Sequence, residues 1–112
     1  MLGNYDTIRR MTRDEIIAKL KDTAPALRTE GVARLAIFGS RARGDARDDS
    51  DLDVLIDIDP EAKLYGLALI GVLADVERTI KAATGIATQA EMRRSLEPRF
   101  AERIADDVIE VF

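Results

Sequence analysis

Two apolar segments of different rhythm, joined by a polar stretch, limit what this chain can become. Val32 to Phe38 is a short apolar run ending at Gly39, the pattern of a buried strand. Leu52 to Ile58 alternates strictly. Leu52, Val54, Ile56 and Ile58 face one way, and Asp51, Asp53, Leu55 and Asp57 face the other. That pattern predicts a strand with one face on a core and an acidic outer face. Between the two runs the chain turns polar, with three Arg and three Asp from Gly39 to Ser50.

Helical signals flank these strands. Thr12-Arg13-Asp14-Glu15 reads as a capping box, in which Thr12 and Glu15 each satisfy a free backbone N–H. Ile16, Ile17, Leu20, Ala24 and Leu27 follow at helical spacing, Pro25 should bend or interrupt the helix, and Gly31 should stop it. Asp59 and Pro60 read as the N-cap and first residue of a long helix running to Thr84. Its apolar stripe is Leu64, Leu67, Ala68, Ala74, Val76 and Ile80, and Gly85 closes it. Leu69, Ile70 and Val72 lie off that stripe and serve either a broad core face or an association surface. Ile86 to Ala90 reads as a short strand. Ser95 or Glu97 opens a last helix with Phe100 and Ile104 inward, and Val108 to Phe112 forms a terminal strand. The sum is one α+β domain over residues 1–112, a mixed sheet flanked by helices.

Composition removes many functions. All 112 residues include no Cys and no His. Disulfides, thiolate and imidazole metal sites, and the serine and cysteine triads are therefore excluded, and any metal must take oxygen ligands. A net charge of −4 argues against broad electrostatic binding to nucleic acid or to anionic membrane. Met1 to Met11 is polar and has no secretory apolar stretch, and Leu64 to Ala74 is too short to span a bilayer. A soluble cytoplasmic protein is expected.

The informative stretch is Gly39-Ser40-Arg41-Ala42-Arg43-Gly44 followed by Ser50-Asp51-Leu52-Asp53. A Gly after a buried strand lets backbone approach a ligand, and a helix beginning there attracts phosphate; the alternative is an ordinary Gly-Ser turn. Asp51 and Asp53 stand on one strand face, with Cα atoms roughly 7 Å apart. They can hold divalent ions of the kind that clamp the oxygens of phosphoryl transfer, or they are simply the wet side of the strand. Arg41 and Arg43 can offset triphosphate charge, or form a solvated pair balanced by Asp45, Asp48 and Asp49.

Gly39-Ser40, ten intervening residues and then Asp51-Leu52-Asp53 resemble the signature of the minimal nucleotidyltransferases of the DNA polymerase β superfamily, the MntA type. The resemblance covers most of the chain, including Leu96-Glu97-Pro98 and the ending Val108-Ile109-Glu110-Val111. It implies a polymerase β palm-like fold. It also implies that Gly39 and Ser40 bind the β- and γ-phosphates of ATP, with Arg41 and Ser50 of the same motif beside them. Asp51 and Asp53 would be the catalytic carboxylates and would hold two Mg²⁺ ions. Members of this type act as antitoxins that transfer AMP from ATP to a Tyr hydroxyl of a HEPN-domain toxin. No such helical segment lies in this sequence, so the toxin is expected as a separate chain, with neither membrane nor nucleic acid as a direct partner. The family's third acidic position falls on Gln89, a neutral residue, with Glu91 on the same face two residues later. A catalytically weakened antitoxin that binds nucleotide and neutralises its toxin by contact is the alternative reading.

Overall fold

A computed structural model describes residues 11–112, so the expectation for the polar start from Met1 lies outside the described residues but for Met11. Thr12 and Glu15 form the reciprocal capping box: Thr12 Oγ1 accepts from the Glu15 N–H at 3.1 Å and Glu15 Oε1 accepts from the Thr12 N–H at 3.0 Å. Helix α1 (Arg13–Asp22) then ends at Thr23, and Pro25 sits in the first turn of a separate helix α2 (Ala24–Thr29). Proline tolerates that position because the N–H it lacks would have had no helical partner there. Gly31, at φ +103, turns the chain into strand β1 (Val32–Phe38).

Strand β1 leads into a short helix α3 (Gly39–Arg43), and strand β2 (Leu52–Ile58) returns antiparallel to β1. A register irregularity between Val32 and Arg34 lets Val32 share the buried side with Leu35 and Ile37. The long helix α4 starts at Leu67, not at Pro60, and runs to Thr84. Asp59 does cap Pro60, accepting the Glu61 N–H at 2.9 Å, but it opens only one 3₁₀ turn, Pro60–Ala62. Lys63 and Gly66, both at positive φ, then break the chain direction before α4.

Strand β3 (Thr88–Met92) lies parallel to β2, two residues later than the sequence places its start. Glu97 caps helix α5 (Pro98–Ile104) through the N–H groups of Arg99 and Phe100, and strand β4 (Ile109–Glu110) pairs antiparallel with β1. The terminal strand is thus shorter than Val108 to Phe112, although Leu35 also exchanges backbone hydrogen bonds with Val111 and Phe112. The four strands stand in the order β3-β2-β1-β4, a mixed sheet with helices, as the α+β reading requires.

Both faces of the sheet are covered. Ile16, Leu20, Leu27, Leu35, Ile37, Leu52, Val54, Ile56, Val72, Val76 and Ile80 form the larger core under α1, α2 and α4. On the opposite face Ala36, Phe38 and Leu55 pack against Ile104, with Phe100 meeting Phe38 edge to face at 6.0 Å. The acidic face of β2 is therefore not wholly outward: α5 covers Leu55, which is buried. The stripe of α4 also differs from the expected one. Val72, Val76 and Ile80 face the core, while Leu67 is 84% and Ile70 62% exposed, because the helix begins seven residues late and only this later side meets the sheet. Among the described residues no helix is long and apolar enough to cross a membrane.

Candidate functional site

Antiparallel pairing sets Phe38, the last residue of β1, directly opposite Asp53 on β2. Parallel pairing sets Gln89 of β3 on the other side of Asp53, with Glu91 level with Leu55. Three strands thus bring residues distant in sequence to one sheet end. Gly39 follows Phe38 at φ +74, and a Cβ added there would lie 2.5 Å from Asp53 Oδ2. The turn and the carboxylate are in contact, and only a glycine leaves room for both.

Asp53 is half-buried and has no hydrogen-bond or ion-pair partner among the described residues. Burial raises its pKa above the usual carboxylate value, and the charges of Asp51 and Glu91 add to this; Arg43 offsets part of it. Asp51 Oδ2 accepts a hydrogen bond from Gln89 Nε2 at 2.7 Å. The neutral Gln89 side chain thus binds the first carboxylate without adding charge. Glu91 is exposed and carries no hydrogen bond or ion pair among the described residues. A cleft of about 310 Å³ collects Phe38, Gly39, Arg43, Asp53, Gln89, Glu91, Phe100 and Ile104.

The donor set fits a hard divalent cation. Hard cations take carboxylate oxygen, and Asp53 is an unpaired, partly desolvated carboxylate crowded by other negative charge. Among the described residues, however, no three acidic side chains converge closely enough to form a metal cluster by themselves.

The two arginines take different roles. Arg41 is 5% exposed, and its guanidinium turns inward, donating from Nη2 to Ser50 O at 2.7 Å, from Nε to the same oxygen at 3.2 Å, and to Asp48 O. It ties the loop before β2 to α3. Ser50 serves the same loop, its Oγ accepting the Arg47 N–H at 2.8 Å. Arg43 instead lines the cleft, held charged by Asp107 and Asp45. Ser40 follows Gly39 at the start of α3, which no side chain caps, and its hydroxyl has no partner among the described residues. Sequence reasoning missed Phe38 and the Phe100 wall as site residues. The apolar residue abutting Gly39 and the inward face of α5 were the available signals.

The fold and this site define a nucleotide-transfer class, and the comparisons agree. The family model for the nucleotidyltransferase domain matches residues 14–111. The chain belongs to that family. It is 31% identical over 102 residues to the protein adenylyltransferase MntA of Thermococcus cleftensis, covering 90% of this chain and 97% of that one. A solved structure assigned as a minimal nucleotidyltransferase superposes with a TM-score of 0.70 at 26% identity, over 89% of this chain and 96% of the other. A tri-AMPylated Shewanella oneidensis HEPN toxin in complex with MNT antitoxin shares the fold, with a TM-score of 0.54 at 13% identity over 82% of this chain and 68% of that one.

Proposed function

We propose that this chain, acting as a single domain in the cytoplasm, is an antitoxin that transfers AMP from ATP to a Tyr hydroxyl of a separate HEPN-domain toxin. The contact of Gly39 with Asp53 carries the reading, because it joins a phosphate-approaching turn to an unpaired carboxylate. The MntA relative supports the reaction, and the AMPylated toxin complex of S. oneidensis supports the partner.

In this reading Gly39 and Ser40 hold the β- and γ-phosphates and Arg43 offsets their charge. Arg41 and Ser50 act from behind, fixing the loop that delivers Asp51. Asp51 and Asp53 would hold Mg²⁺, which supplies charge stabilisation to the phosphates. The acceptor oxygen attacks the α-phosphorus, the bond to the β-phosphate oxygen breaks, and pyrophosphate leaves with the electron pair. The hydroxyl proton goes to Glu91, a carboxylate on the cleft wall without a hydrogen bond or ion pair among the described residues.

Incubation with α-labelled ATP, Mg²⁺ and the helical protein encoded beside it tests this. Label should appear on a toxin Tyr and vanish with Asp53→Asn; no label with a toxin active in controls would refute the transfer. The Gln89 hydrogen bond to Asp51 favours a second reading, neutralisation by contact with weakened catalysis. Under that reading the Asp51→Asn, Asp53→Asn double variant still binds the toxin and protects cells.

A further inference from the structure

Asp51 immediately precedes β2, Asp53 lies within it, and Gln89 on β3 pairs level with Asp53. The Gln89 side chain leans back along the strand, and its Nε2 donates to Asp51 Oδ2 at 2.7 Å. One neutral side chain thus reaches from the level of one carboxylate to an oxygen of the other. Glu91 pairs level with Leu55, roughly 7 Å farther along β3 and away from Asp51. The other acids nearby are engaged, Asp45 and Asp107 by Arg43 and Asp57 by Arg93. We propose that this chain holds one divalent cation and not two, with Asp51 and Asp53 receiving the ion that arrives with the triphosphate and Gln89 withholding the carboxylate that a second ion needs. The inference rests on the nucleotide site proposed above, adds how many ions that site takes, and departs from the two that the family resemblance implies.

Charge decides the number of ions. Mg²⁺ is commonly held by one or two carboxylates together with substrate phosphates, so Asp51 and Asp53 suffice for an ion that already carries triphosphate oxygens. Their two negative charges balance the charge of that ion. A second dication roughly 4 Å from the first would meet four times the repulsion of a pair of unit charges. Offsetting it takes a further carboxylate facing Asp51, and the side chain in that place is Gln89. Among the described residues no three acidic side chains are placed to hold an ion together. An ionised carboxylate only accepts hydrogen bonds, so Gln89 presents its N–H and not its oxygen to Asp51. Even turned about, the amide oxygen would bring a ligand without a charge. The acceptor hydroxyl then depends on this chain's own side chains and not on a second ion.

Mn²⁺ is the probe, counted by electron paramagnetic resonance on the full chain saturated with α,β-methylene-ATP, whose α,β linkage resists cleavage. The native protein should bind one Mn²⁺ per chain and give the spectrum of an isolated ion. Gln89→Glu should bind two, with the line broadening of coupled spins. Gln89→Asp repeats the test with a shorter side chain should the first variant lose its thermal unfolding transition. Gln89→Ala removes the amide without adding charge and should stay at one ion. Two coupled Mn²⁺ ions on the native chain would overturn the proposal, as would none on the nucleotide-loaded chain. A second ion in Gln89→Ala would overturn it as well, since the amide would then be blocking a site and not withholding charge. A single ion in the folded acidic variants would take the role away from Gln89. One bound ion in a native protein that labels no toxin would leave the ion count standing and remove the transfer reading.

Discussion

Asp53 and Gly39 each constrain the other at the scale of single side chains. Gly39→Ala would force a Cβ against Asp53 Oδ2 and hold an L-residue at φ +74. A cost of about 1–3 kcal/mol is expected from the backbone alone, with the turn displaced from Asp53. Urea unfolding gives the first quantity and calorimetric titration with Mg·ATP should show the second as lost affinity. Asp53 itself is held above its usual pKa, first by burial and then by Asp51 and Glu91. Its folded pKa thus exceeds the unfolded value of about 3.9, so its charge opposes folding. The penalty is absent below the unfolded value and grows as pH rises through the folded one. Asp53→Asn should therefore raise the Tm of the ligand-free protein at pH 7, with the gap closing toward pH 4. Equal melts at both pH values would contradict this.

Between elements, the loop from α3 to β2 is organised by a residue that the sequence marks only as charged. Arg41 satisfies the carbonyls of Ser50 and Asp48 from a buried position. Arg41→Met keeps the bulk and removes those donors. It should cost about 1.5–3 kcal/mol, the range for hydrogen bonds made by a charged group, and should speed amide exchange over residues 45–50. Proteolysis confined to the same loop would be a second sign. Capping logic was legible here where it was local: Thr12 with Glu15, Asp59 with Glu61, and Glu97 with Arg99 and Phe100 all pair within three residues. The length behind a cap was not legible. Asp59 opens a single turn because Lys63 and Gly66 redirect the chain, and Glu97 opens a helix of only seven residues.

Across the whole molecule, four charges from four separate segments close the sheet end away from the site. Arg93 donates from Nη1 and Nη2 to the Glu110 carboxylate at 2.9 Å each and from Nε to Asp57 at 3.2 Å, and Arg34 reaches Glu110 at 3.1 Å. The hydrogen bond from Arg93 is the main reason that Glu110 ionises below its usual range. A depressed carboxylate contributes stability that is present above its unfolded pKa of about 4.3 and is lost as pH falls through the folded value. Arg93→Met should cost about 1 kcal/mol at pH 7, a modest figure because the pair is partly solvated, and less as pH falls toward 3. Chemical denaturation at the two pH values measures the difference.

The apolar run of β1, the alternation of β2, the Thr12–Glu15 capping box and the Gly39-Ser40 to Asp51-x-Asp53 spacing were settled by the sequence, because each depends on near neighbours along the chain. Strand order, the burial of Leu55 under α5, the inward turn of Arg41 and the hydrogen bond from Gln89 to Asp51 were decided only by tertiary structure. Each of these pairs groups seven or more residues apart, and no local periodicity records which distant surface a side chain will meet.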